Sequence, residues 1–102
     1  MNIVNRCAIT IVYKQPFADW NDRVFPDMPM ESHGYKESYT YLVKEEMDIS
    51  EKIMKKYYKQ IFEDALEGMC TDESEWPPNR TFKLFTEWFD FHISGWVVDL
   101  VK

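Results

Sequence analysis

The chain has 102 residues, 45% of them apolar and 17% aromatic, enough for one domain around one hydrophobic core. Eighteen acidic against twelve basic residues leave a net charge of −6, the wrong sign for a protein that must neutralise phosphates, so nucleic acid is not an expected partner. No apolar run approaches the ~20 residues of a membrane-spanning helix, and the opening MNIVNRCAITIVYK lacks the layout of a signal peptide. The sequence therefore predicts a cytoplasmic protein with no membrane partner, its Cys7 and Cys70 kept as free thiols by a reducing compartment.

Residues 6–14 read as a strand. Cys7, Ile9, Ile11 and Tyr13 point one way and Ala8, Thr10 and Val12 the other. Both rows are apolar or small, which places this strand inside a sheet rather than at its edge. Pro16 opens a short helix over residues 17–25, because a proline in the first turn gives up only an N–H that would be unpaired anyway. Phe17, Trp20 and Val24 share one face of it, and Pro26 ends it. Residues 26–38, with two prolines and Gly34, read as a surface loop. Residues 39–44 form a second strand, rich in aromatic and β-branched side chains.

A long helix is predicted over residues 49–67, with Asp48 as N-cap, Glu51 as its capping-box partner and Gly68 as the C-terminal cap. Its apolar pairs, from Ile53 and Met54 to Leu66 and Met69, recur every four residues, so the stripe drifts about 40° per step around the helix. One flat neighbour cannot cover such a stripe. Trp76-Pro77-Pro78 then blocks helix, and Asn79 or Thr81 caps a third helix running to about Phe89. Residues 95–101 return to strand, with Trp96, Val98 and Leu100 on one side and Val97, Asp99 and Val101 on the other. The expected fold is a single α+β domain spanning residues 1–102, in the order β-α-β-α-α-β, with a small, about three-stranded sheet and two or three helices upon it.

The segments Arg6-Cys7-Ala8, Lys14-Gln15-Pro16-Phe17 with Asp19-Trp20, Trp76 through Phe82, Glu87-Trp88-Phe89, His92 and Val98-Asp99-Leu100 resemble a group of small uncharacterised bacterial proteins of similar length. That group has no known activity, so the resemblance implies a small bacterial cytoplasmic protein and assigns no functional residue. The chain departs from the group in Lys52, Lys55, Lys56 and Lys59.

Sites of chemistry find little support in the sequence. Asp90 and His92 would share a side if their stretch were extended, yet neither joins a Cys or His at metal-ligand spacing, and no metal or cofactor is expected. Cys70 is followed by Asp72, Glu73 and Glu75, whose negative charge suppresses a reactive thiolate. Arg80 could meet an anion at a helix start, but a pair with a Glu or Asp of the acidic turn next to it is the simpler reading. Asp99 sits in an apolar strand and needs Arg6, Lys14, Thr10 or water beside it. In the long helix Lys52, Lys55, Lys56 and Lys59 crowd the first half and Glu63, Asp64 and Glu67 the second, against the helix dipole. A solvated face with a Lys59–Glu63 pair explains this, and so does a bipolar surface able to dock on a copy of itself or on a charged partner.

The leading reading is a non-enzymatic protein-interaction or regulatory domain, with self-association into a homodimer as one form of that role. Trp20, Trp76 and Trp96 are the expected interface anchors, together with Lys52, Lys56 and Lys59. Two alternatives stand beside it: an acidic inhibitor or immunity-type protein that binds a basic enzyme, and a small enzyme with a carboxylate and His92 in a cleft.

Overall fold

A computed structural model of the chain describes residues 2–29 and 38–101. Its elements are β1 (Asn2–Val4), β2 (Arg6–Tyr13), α1 (Gln15–Val24), β3 (Ser38–Lys44), α2 (Glu51–Met69), a 3-10 turn (Glu73–Glu75), α3 (Phe82–Trp88), β4 (Phe89–Ser94) and β5 (Val97–Asp99). The class is α+β, as expected. Of the loop read over residues 26–38, residues 30–37, with His33 and Gly34, lie outside the described residues.

The main sheet is antiparallel in the order β3-β2-β4. β2 occupies the centre because both of its rows can be covered by neighbours, and Cys7, Ile9, Ile11 and Tyr13 are all buried. The third strand of this sheet is Phe89–Ser94, not residues 95–101. Phe89, Phe91 and Ile93 alternate there with Asp90, His92 and Ser94, and α3 therefore ends at Trp88. Of the predicted terminal strand only residues 97–99 form, as the short β5, which pairs with β1 in a separate ribbon (Ile3 opposite Val98).

That ribbon prolongs the β2–β4 ladder past an irregularity. Between the pairs Ala8–Ser94 and Val4–Val97, residues 5 to 7 stand opposite only Gly95 and Trp96. One strand thus carries an extra residue, a bulge that bends the ladder and turns the ribbon away from the sheet.

All three helices lie on the face of the sheet that carries Cys7, Ile9, Ile11 and Tyr13. The core between the layers is aromatic: Phe62 meets Phe85, Trp88 and Phe89 with ring centroids 5.3–5.9 Å apart, and Phe17 meets Tyr13, Trp20 and Phe89 at 4.1–5.4 Å. Lys14 joins the two halves of this core, its N–H donating to the Trp88 carbonyl at 2.9 Å and its ammonium to the Thr86 carbonyl at 3.2 Å. α2 needs two kinds of neighbour, as its drifting stripe requires. Tyr58 and Phe62 face α3, while Ile61 and Asp64 face β3.

The caps of α2 differ from the expected ones. Ser50, not Asp48, is the N-cap, accepting the Lys52 N–H at 3.3 Å. Gly68 lies inside the last turn with ordinary helical backbone, and the chain leaves the helix at Cys70 in extended conformation. A Cβ placed on Gly68 would have no atom within 4 Å. Gly68→Ala is accordingly expected to raise stability by about 0.5–1 kcal/mol, measured by urea unfolding, since alanine loses less backbone entropy in a helix. A destabilised variant would show that the glycine has a packing role.

Candidate functional site

The tryptophans expected as interface anchors divide sharply. Trp20 is 3% exposed and Trp76 8%, whereas Trp96 is 71% exposed. Trp20 lies on the inner face of α1 and donates its indole N–H to the Glu75 carbonyl at 2.8 Å. Trp76 turns back under the end of α2 and donates to the Cys70 carbonyl at 2.8 Å. The two indoles hold residues 70–76 against the helices, so within this chain they are core residues, not exposed anchors. Each large ring satisfies its one polar atom on backbone, which is what burial of tryptophan requires.

Trp96 marks a different region. It sits at the turn between β4 and β5, and Gly95 beside it runs directly against Ile49, where an added Cβ would come within 2.9–3.0 Å of the isoleucine side chain. Met47 and Ile49, just before α2, and Ile3, Leu100 and Val101, on and beyond the ribbon, are also large exposed apolar side chains. This end of the molecule therefore presents an apolar surface carried on a two-stranded ribbon. Asp99 belongs to it, exposed and accepting the Val101 N–H at 2.9 Å; water and that backbone donor meet its need for a partner.

A second surface runs along α2 and the edge of the sheet. Lys52, Lys56 and Lys59 are exposed on the helix, as expected of surface residues. The predicted Lys59–Glu63 pair is not the one that forms: Glu63 lies 3.4 Å from the Arg80 Nε, and Lys56 lies 3.6 Å from Glu46. Arg80, expected to pair with the acidic turn, instead meets Glu63 of α2; it also donates to the Pro77 carbonyl at 2.9 Å and stacks over the Trp76 ring at 5.6 Å, so its guanidinium is a fastener between α2 and the Pro-Pro segment. Between α2 and β3 a cleft of about 340 Å³ is lined by Tyr41, Leu42, Val43, Lys44, Gln60 and Asp64, among others. There the Tyr41 hydroxyl donates to the Asp64 carboxylate at 2.8 Å. Burial, and then that carboxylate, push the Tyr41 phenol well above its ordinary range, while burial and the neighbouring Tyr39 and Tyr41 do the same to Tyr13.

The open face of the sheet carries Thr10, Thr40, Leu42, Asp90 and His92. Thr10 and Thr40 hydrogen-bond each other at 2.9 Å, and Lys14 approaches Asp90 at 4.0 Å. Asp90 and His92 do share a side, since their stretch is extended, and both are exposed on this open face. Among the described residues no three of His, Cys, Asp and Glu come together as metal ligands. Cys7 and Cys70 are both buried free thiols, Cys7 accepting the Glu46 N–H at 3.4 Å. No helix among the described residues is long and apolar enough to cross a membrane.

Comparison of the chain with family models, with curated proteins and with solved structures found no match. Sequence reasoning placed Trp96 and the helix lysines at the surface, where they are exposed, and did not identify β3 as the sheet edge beside α2. The signal was Leu42, an apolar residue in the otherwise polar row of Thr40 and Lys44.

Proposed function

We propose that this chain is a non-enzymatic protein-interaction domain of the cytoplasm. The observation that carries the reading is the ribbon end of the molecule, where Ile3, Met47, Ile49, Trp96, Leu100 and Val101 leave large apolar surface in water. Large apolar side chains exposed at one end of a domain mark interaction sites, and an exposed tryptophan is the residue type that contributes most when a partner covers it. A two-stranded ribbon is marginal by itself, so a partner that covers it also orders it. The separate, buried thiols of Cys7 and Cys70 support a reducing compartment.

The test places a photoactivatable cross-linking side chain at position 96, and a control at the exposed Glu87 on α3, in the full-length chain expressed in cells. The reading expects a discrete protein adduct from position 96 that the control does not give. Its absence from position 96 would count decisively against this surface. An adduct to a basic protein whose yield falls with salt would identify the partner class of an acidic inhibitor.

A further inference from the structure

We infer that the edge of β3 and the outer face of α2 together form a two-fold docking surface for a second copy of this chain. The inference deepens the interaction reading by assigning it a partner and a surface apart from the ribbon.

Three observations meet at one place. β3 is an edge strand, and among the described residues no strand lies beyond it, so residues 40–44 present outward N–H and C=O groups that a further strand would pair. Leu42 stands at the middle of that stretch with 59% of its surface exposed on the open face of the sheet. Above the edge, α2 carries a bipolar stripe: Lys56, Gln60, Glu63 and Glu67 follow each other at helical spacing, with Lys59 and Asp64 alongside.

The strand and the helix agree on where the axis falls. Tyr41 meets Asp64 through its hydroxyl, Tyr39 lies beside Gly68 and Met69, and Val43 and Lys44 share the cleft with Tyr57 and Gln60. α2 therefore runs antiparallel to β3, and Leu42 is level with the stretch between Gln60 and Glu63. A two-fold axis through Leu42 sets β3 antiparallel to the partner's β3, with Leu42 against the partner's Leu42, as neighbours in an antiparallel pair stand. The same axis sets the two α2 helices antiparallel, bringing Lys56 to the partner's Glu67. That contact occurs twice. A surface whose basic half meets its own acidic half under two-fold rotation is self-complementary, as an isologous interface must be. It also gives a purpose to a charge order that opposes the helix dipole.

Light scattering over a concentration series reads this directly. The native chain is expected to reach twice its 12.3 kDa mass, with dissociation rising at high salt. The variants Lys56→Glu and Glu67→Lys, both at exposed positions, are each expected to weaken the dimer by about tenfold. Mixing the two restores every opposite-charge contact, so a heterodimer should form where neither variant pairs with itself. Leu42→Asp, which alters only an exposed side chain, should give a monomer with native circular dichroism and melting. A native chain that stays monomeric at all concentrations overturns the inference, as does a dimer indifferent to the charge reversals and to Leu42→Asp. Either result leaves the interaction reading standing on the adduct from position 96, and only the loss of that adduct removes it.

Discussion

Trp20→Ala should lower stability by about 3–5 kcal/mol, while Trp96→Ala should stay within about 0.5 kcal/mol of the native chain in the same urea titration. The two residues have the same chemistry and were equal candidates in the sequence, so the contrast isolates position. Trp20 packs against Phe17 and Trp88 with centroids 5.4 and 6.1 Å away and also anchors the Glu75 carbonyl. Its removal leaves a cavity in a close-packed aromatic core and releases residues 70–76 from α1. Since a domain of this size has only about 5–15 kcal/mol to lose, the variant should unfold at markedly lower denaturant. Trp20→Phe separates the parts: it keeps most of the ring, gives up the indole donor and should fall between the two. If Trp96→Ala proves as costly as Trp20→Ala, the ribbon end belongs to the folding core, and the apolar surface there has a structural explanation.

What the sequence revealed and what it concealed follow from the range of the signals. β2 and α2 were legible because each has a clear period over many residues. The alternation of Cys7, Ile9, Ile11 and Tyr13 and the paired stripe of α2 leave no competing pattern. β4 was concealed because the change of period falls inside an aromatic run. Phe82, Phe85, Trp88 and Phe89 suit a helix, and Phe89, Phe91 and Ile93 suit a strand, with no glycine or proline between them to mark the boundary. The cap of α2 was misplaced because Asp48 and Ser50 both have capping chemistry and lie only two residues apart, so residue type alone does not choose between them. Trp20 and Trp76 were misread for a different reason. Their burial depends on carbonyls 55 and 6 residues distant in the chain, which no local pattern encodes. Trp96 is exposed as expected, yet the ribbon that displays it depends on pairing between the first and last strands, a long-range contact that three-residue strands cannot announce.

Raising the pH above about 10 should progressively lower the stability of this protein, and Tyr13→Phe should remove part of that sensitivity. Tyr13 and Tyr41 both hold their phenolic protons more tightly in the fold than in the unfolded chain, first because burial disfavours the phenolate. At Tyr13 the nearby Tyr39 and Tyr41 add to this, and at Tyr41 the Asp64 carboxylate accepts the proton and repels the charge that its loss would create. The unfolded chain titrates near pH 10, so below that value both states are protonated and the stabilisation is complete. Above it the unfolded state sheds protons that the folded state retains, and stability falls with each further rise in pH until the folded phenols titrate as well. Each tyrosine can contribute a slope of at most about 1.4 kcal/mol per pH unit. Urea midpoints between pH 8 and pH 11 would measure it, with native chain and variant compared at each pH so that the common titration of lysines cancels. Tyr13→Phe should run parallel to the native chain below pH 10 and lie progressively above it beyond. Tyr41→Phe should show the same divergence after a small loss at neutral pH, about 0.5–1.5 kcal/mol, for the missing hydrogen bond to Asp64. Curves that stay parallel through pH 11 would mean that water reaches both phenols freely, and that the layer between α2 and β3 is looser than the 2.8 Å contact between Tyr41 and Asp64 implies.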